Sequence, residues 1–189
     1  MTDVTGIANI CLVELGQEPI TELGEGSDRA NVLQSNFDLV RDAVLRAHPW
    51  NSARARKIIA VDQTAPVFGF SYRYPLPPKP YCLRVLTVGG NASGWKVEGR
   101  WILTDMSGPV EVEFIARPES AEDFDPMLAE VIGLKLAERC AYRLTNSRSK
   151  EERAAKKAAD ALRDARSADG QEGTPDELPE SEILMSRYD

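Results

Sequence analysis

The chain has 189 residues, 42% hydrophobic and 28% charged, which suits one core-bearing domain with an appendage better than two full domains. Lys and Arg number 23 against 30 Asp and Glu, a net charge of −7, so the chain lacks the cation surplus that drives a tight grip on a nucleic-acid backbone. No apolar run is long enough to span a bilayer, and Met1 to Gly16 carries no basic stretch, so neither a membrane segment nor a secretory signal is expected.

Val4, Ile7, Ala8, Cys11, Leu12 and Leu15 repeat at three-and-four spacing and predict a first helix, capped by Thr2 or Asp3 and stopped at Gly16. After a polar loop, Ala30, Leu33, Phe37, Val40, Val44 and Ala47 predict a second helix, capped at Ser27 or Asp28 and ended by Pro49. The period then changes. Lys57–Val61, Tyr81–Val88, Trp95–Val97, Arg100–Thr104 and Val110–Ile115 are short β-branched or aromatic runs separated by glycine turns. Val110, Val112 and Phe114 alternate with Glu111 and Glu113, as in a sheet with one wet face. The proline-rich stretch Tyr74–Pro80 reads as a stiff extended connector.

Asp125-Pro126 is a helix start, followed by a wide apolar arc from Leu128 to Leu144 that marks a central third helix. Arg148–Arg166 is an alanine-striped, highly charged fourth helix with little area to bury. The last stretch, 167–189, holds seven acids against the single base Arg187, which is −6 of the total −7. Such a composition does not order itself alone, yet it finishes with Ile183, Leu184, Met185 and Tyr188, the pattern of a tethered docking segment. The expected fold class is α+β, mainly α. It consists of an antiparallel four-helix bundle (1–56 and 118–166), an inserted small antiparallel β module (57–117) and an extended acidic C-terminal arm (167–189).

Little in the sequence points to catalysis. Cys11, Cys82 and Cys140 are odd in number and far apart among apolar neighbours, which favours buried free thiols over disulfides or a zinc site, in a chain assembled in a reducing cytoplasm. His48 is the only histidine, and its place before Pro49 suits helix-end packing. Gly89–Gly94 lacks the lysine of a phosphate loop and reads as a hairpin turn. Glu111 and Glu113 fit a solvated strand face, and Glu119, Glu122, Asp123 and Asp125 fit a loop and helix start. Trp50, Trp95 and Trp101 with Tyr72, Tyr74 and Tyr81 fit core and interface packing rather than a stacking platform for single-stranded nucleic acid. No cofactor or metal is expected.

The order helix, helix, β insertion, helix, helix, acidic tail resembles the tail tubular protein A family, the head-to-tail adaptors of short-tailed bacteriophages. The segments that carry the resemblance are Ile10–Ile20 with its Gly16-Gln17-Glu18-Pro19 exit, Leu45–Asn51 with Pro49-Trp50-Asn51, Tyr72–Pro78 followed by Cys82–Val85, Phe124-Asp125-Pro126, and Ser186-Arg187-Tyr188. Met185 departs from the more aromatic anchor expected there.

The resemblance implies a non-enzymatic structural protein of the virion. It would form a dodecameric ring at the head–tail junction, seated between the capsid portal and the tail nozzle, with DNA passing through its channel without sequence-specific binding and with no membrane involved. On this reading Ile183, Leu184, Met185, Arg187 and Tyr188 face the portal, and Trp95 and Trp101 face the nozzle. The alternatives are a phage-associated peptidoglycan hydrolase working through a carboxylate pair, and a non-viral oligomerising module.

Overall fold

The computed structural model describes residues 3–120 and 123–172. These residues form four α-helices, α1 (Val4–Glu14), α2 (Asp28–Ala47), α3 (Pro126–Thr145) and α4 (Arg148–Glu172), and one short 3-10 turn, Asn51–Ala53. Between α2 and α3 lie six strands, β1 (Arg54–Ile59), β2 (Tyr72–Pro75), β3 (Cys82–Val88), β4 (Trp95–Glu98), β5 (Trp101–Thr104) and β6 (Val110–Ala116).

The helix starts follow the capping chemistry of the sequence. Asp3 accepts from the Gly6 amide, Ser27 from Ala30, and Asp125 from both Met127 and Leu128, each satisfying donors that the first turn leaves orphaned. At the other end of α3, Asn146 adopts φ 52° and its amide returns to the Tyr142 carbonyl, so α4 can start two residues later.

The expected four-helix bundle with a small β insertion is not what these elements build. In a bundle each helix packs along two neighbours. Here α3 packs extensively on α1, α2 and α4, and among the described residues those three share no comparable interface with one another. The reason lies in side-chain supply. α3 is buried nearly all round, through Leu128, Val131, Ile132, Leu136, Ala137, Cys140 and Ala141. α4 offers only the narrow stripe Ala154, Ala158 and Ala165, enough for one seam.

The β part is also more than an insert. It forms two three-stranded antiparallel sheets, ordered β1-β6-β3 and β2-β5-β4. They enclose a core of their own that includes Tyr74, Cys82, Val85, Val88, Ile102, Val112 and Phe114. Ile115 and Leu83 turn the other way and join the helical core. The protein is therefore an α+β fold with two adjoining cores.

Three boundaries differ from expectation, the first being β1, which spans Arg54–Ile59 rather than Lys57–Val61 and so begins ahead of residue 57, where the β module was expected to start. The proline-rich connector begins as the strand β2, whose Tyr74 pairs with Ile102 and whose Pro75 pairs with Trp101. A proline is tolerated there because β2 is an edge strand. In addition α4 does not end at Arg166 but runs on to Glu172, so 167–172 belongs to the helix rather than the arm. Asp169 supplies the fastening: its carboxylate accepts from the Asn51 amide at 2.8 Å and lies 2.9 Å from His48 Nε2, while the Asn51 side chain donates to the Asp169 carbonyl at 2.7 Å.

Candidate functional site

The two cores meet along a cleft of about 570 Å³ whose walls come from α2, β3, the β4–β5 hairpin and the end of β6. The last turns of α2 supply Asp42 and Arg46. Tyr81 and Arg84 come from the start of β3 and the residue before it, Arg100 from the turn into β5, and Arg117 from the residue after β6. The cleft lining thus holds four guanidinium groups and one carboxylate, a local charge of +3 in a chain whose total is −7.

Each arginine is held in place. Arg46 donates to the Leu83 carbonyl and Arg84 to the Arg46 carbonyl at 3.3 Å, which ties the end of α2 to β3. Arg100 donates to the Cys82 and Pro77 carbonyls at 2.9 and 3.0 Å. The guanidinium carbons of Arg100 and Arg117 lie over the Tyr81 ring, 4.2 and 4.6 Å from its centroid. Arg117 makes a two-pronged pair with Asp42, and this hydrogen bonding holds its guanidinium still more firmly protonated. Asp42 is shared, since Arg41 Nε also reaches it at 2.9 Å. Among the described residues, Arg46, Arg84 and Arg100 meet backbone oxygens and a ring but no carboxylate.

This arrangement can hold an anion. Guanidinium forks match carboxylate or phosphate oxygens in pairs. The thiol on the cleft floor, Cys82, is buried, and that burial pushes its pKa up to about 11, so it is a packing group rather than a nucleophile. Cys140 is likewise raised to about 11 by burial, and Cys11 is raised by burial and by Cys140 beside it. All three thiols are free and buried.

The structure separates the two tryptophans. In the β4–β5 register Trp95 pairs with Thr104 and Trp101 with Glu98, so they fall on opposite faces of the sheet. Trp95 stands at the rim of the arginine cleft and donates to the Asn91 carbonyl. Trp101 lies under Arg73, 4.2 Å from the guanidinium carbon, beside the loop 66–70. Ile183, Leu184, Met185, Arg187 and Tyr188 lie outside the described residues.

Two other residues weighed for chemistry, His48 and Glu113, have structural partners. His48 packs edge-on to Trp50 and binds Asp169. Glu113 pairs with Arg54 and Arg56. Among the described residues the carboxylates with shifted pKa values, Glu25 and Asp62, are both lowered by hydrogen bonds, the opposite of what a general acid needs.

Sequence reasoning missed the arginine cleft. Its only signal is an arginine set directly against core residues, as in Leu83-Arg84-Val85 and Ala116-Arg117-Pro118, and nothing in the spacing joins the four. A scan against protein-family models finds no match, and a search of curated proteins returns no significant relative.

Proposed function

We propose that this chain is a structural head-to-tail adaptor of a phage virion, a protein that self-associates into a ring between portal and nozzle and acts by contact rather than catalysis. The observation that carries the reading is the loop 60–71 between β1 and β2. It displays Val67 and Phe68 at 96% and 86% exposure, while its ends are fastened. Asp62 pairs with Arg73 at 2.8 Å, and the Ser71 amide and hydroxyl both donate to Asp105 at 2.8 Å. Two large apolar side chains on an anchored loop are what a protein-contacting surface offers. The order of sequence motifs supports the particular assembly. The portal contact is assigned to Ile183, Leu184, Met185, Arg187 and Tyr188, and the nozzle side to the β sheets with Trp95 and Trp101.

Native mass spectrometry of the protein, alone and mixed with the portal ring of the same phage, tests this. Saturable addition of one copy per portal subunit is expected, and V67S/F68S should cut ring formation without unfolding the chain. A folded protein that adds to no portal ring would sink the reading.

A further inference from the structure

We propose that the arginine cleft is the intramolecular seat of this chain's own acidic segment, residues 176–182. Among the described residues, three guanidinium groups lining the cleft have no carboxylate partner, so an anion seated there meets positive charge that no neighbouring acid offsets. The matching charge is in the same chain: Asp176, Glu177, Glu180 and Glu182 fall within seven residues that contain no base. Leu178, between the acidic pairs, suits the apolar rim of Trp95 and Val97.

The tether is suitably placed. Asp169 clamps the last turns of α4 to His48 and Asn51, at the end of α2, and Arg46 of the cleft is two residues before His48. From Glu172 an extended chain reaches about 13 Å to Asp176 and about 33 Å to Glu182, at ~3.3 Å per residue. Because the contact is within one chain, an effective concentration on the order of millimolar makes even a weak salt-sensitive attraction sufficient. Occupation of the cleft does not depend on the adaptor reading, so either can fail alone.

The cleft lining contains no lysine, which makes carbodiimide coupling a selective test. In the full chain carrying R84K, carbodiimide should condense the introduced amine with one of the acids of 176–182, giving an isopeptide mapped by mass spectrometry. The coupling should fall to background at high salt and in the D176N/E177Q/E180Q/E182Q variant. V97K offers a second amine at an exposed rim position. The pairs Lys157–Glu14 at 2.5 Å and Lys135–Glu138 at 2.7 Å report that the reagent works and the fold is intact.

A mixture of heavy-isotope and normal chains separates the occupants. Linked peptides of uniform isotope confirm the intramolecular seat, and mixed ones overturn it in favour of a second copy. Coupling of the control pairs without any to 176–182 also overturns it. So does protection of the introduced amine by a short single-stranded oligonucleotide in place of the tail, which would make the cleft a nucleic-acid site.

Discussion

The crossing of α1 and α3 is close because Gly133 faces Ile7 and Ile10. A Cβ placed on Gly133 would sit 2.7 Å from Ile10 Cβ, 2.8 Å from Ile10 Cγ2 and 2.9 Å from the Ile7 carbonyl oxygen. None of these partners is the free end of a flexible side chain, so G133A must push α1 outward by several tenths of an ångström. That shift loosens a seam where Ile7, Ala8, Cys11 and Leu12 are fully buried. The helix-propensity gain of Gly→Ala is about 1 kcal/mol. Overpacking against a backbone falls at the upper end of the usual cost, roughly 3 kcal/mol. The net expectation is a loss of about 2 kcal/mol, or ~4–8 °C in Tm for a chain of this size.

G170A is the control, because nothing lies within 4 Å of the Cβ it adds on α4. It should melt at or slightly above the wild-type temperature. Thermal unfolding followed by circular dichroism on both variants is sufficient. A G133A protein as stable as G170A would refute the close-crossing argument.

Other outcomes follow from single contacts. Glu25 accepts hydrogen bonds from Ser27 and from the Thr21 hydroxyl and amide, which lower its pKa from 4.5 to about 2. Its carboxylate therefore stabilises the fold fully above pH 4.5 and loses that contribution as the pH falls through this interval toward 2. The Tm difference between wild type and E25A should be largest at neutral pH and vanish on acidification; a constant gap would count against the capping loop. D125A removes the acceptor for two orphan amides of the central helix and should cost about 1 kcal/mol in urea unfolding with an unchanged m-value. D169A should speed hydrogen exchange in the last turns of α4 while leaving α3 protected, and equal protection in both proteins would show that Asp169 fastens nothing.

What the residue string determined by itself was local. The helix start at Asp125 is legible, and those at Asp3 and Ser27 are legible to within one residue (Thr2 or Asp3, Ser27 or Asp28), because an acceptor side chain just ahead of an apolar period has few other uses. The alternation of Val110, Val112 and Phe114 with Glu111 and Glu113 likewise reads directly as a strand with two unlike faces. The strand β2 was hidden because a proline run signals a connector unless one knows that the strand lies at a sheet edge, and only pairing with β5 establishes that. The extension of α4 to Glu172 was hidden for a similar reason. Glycine and acids signal a helix end, and the contacts of Asp169 with His48 and Asn51, more than a hundred residues away, override it.

The arrangement of helices around α3 depended on which faces found partners, since periodicity says that a face is apolar but not what covers it. The arginine cleft lies furthest from the sequence. Arg46, Arg84, Arg100 and Arg117 sit on separate elements with no common spacing, and each looks like an ordinary surface cation. Only the packing of α2 on β3 and the fold of two sheets over one core bring their charges together, because electrostatic interaction depends on distance in space, which the order of residues does not encode.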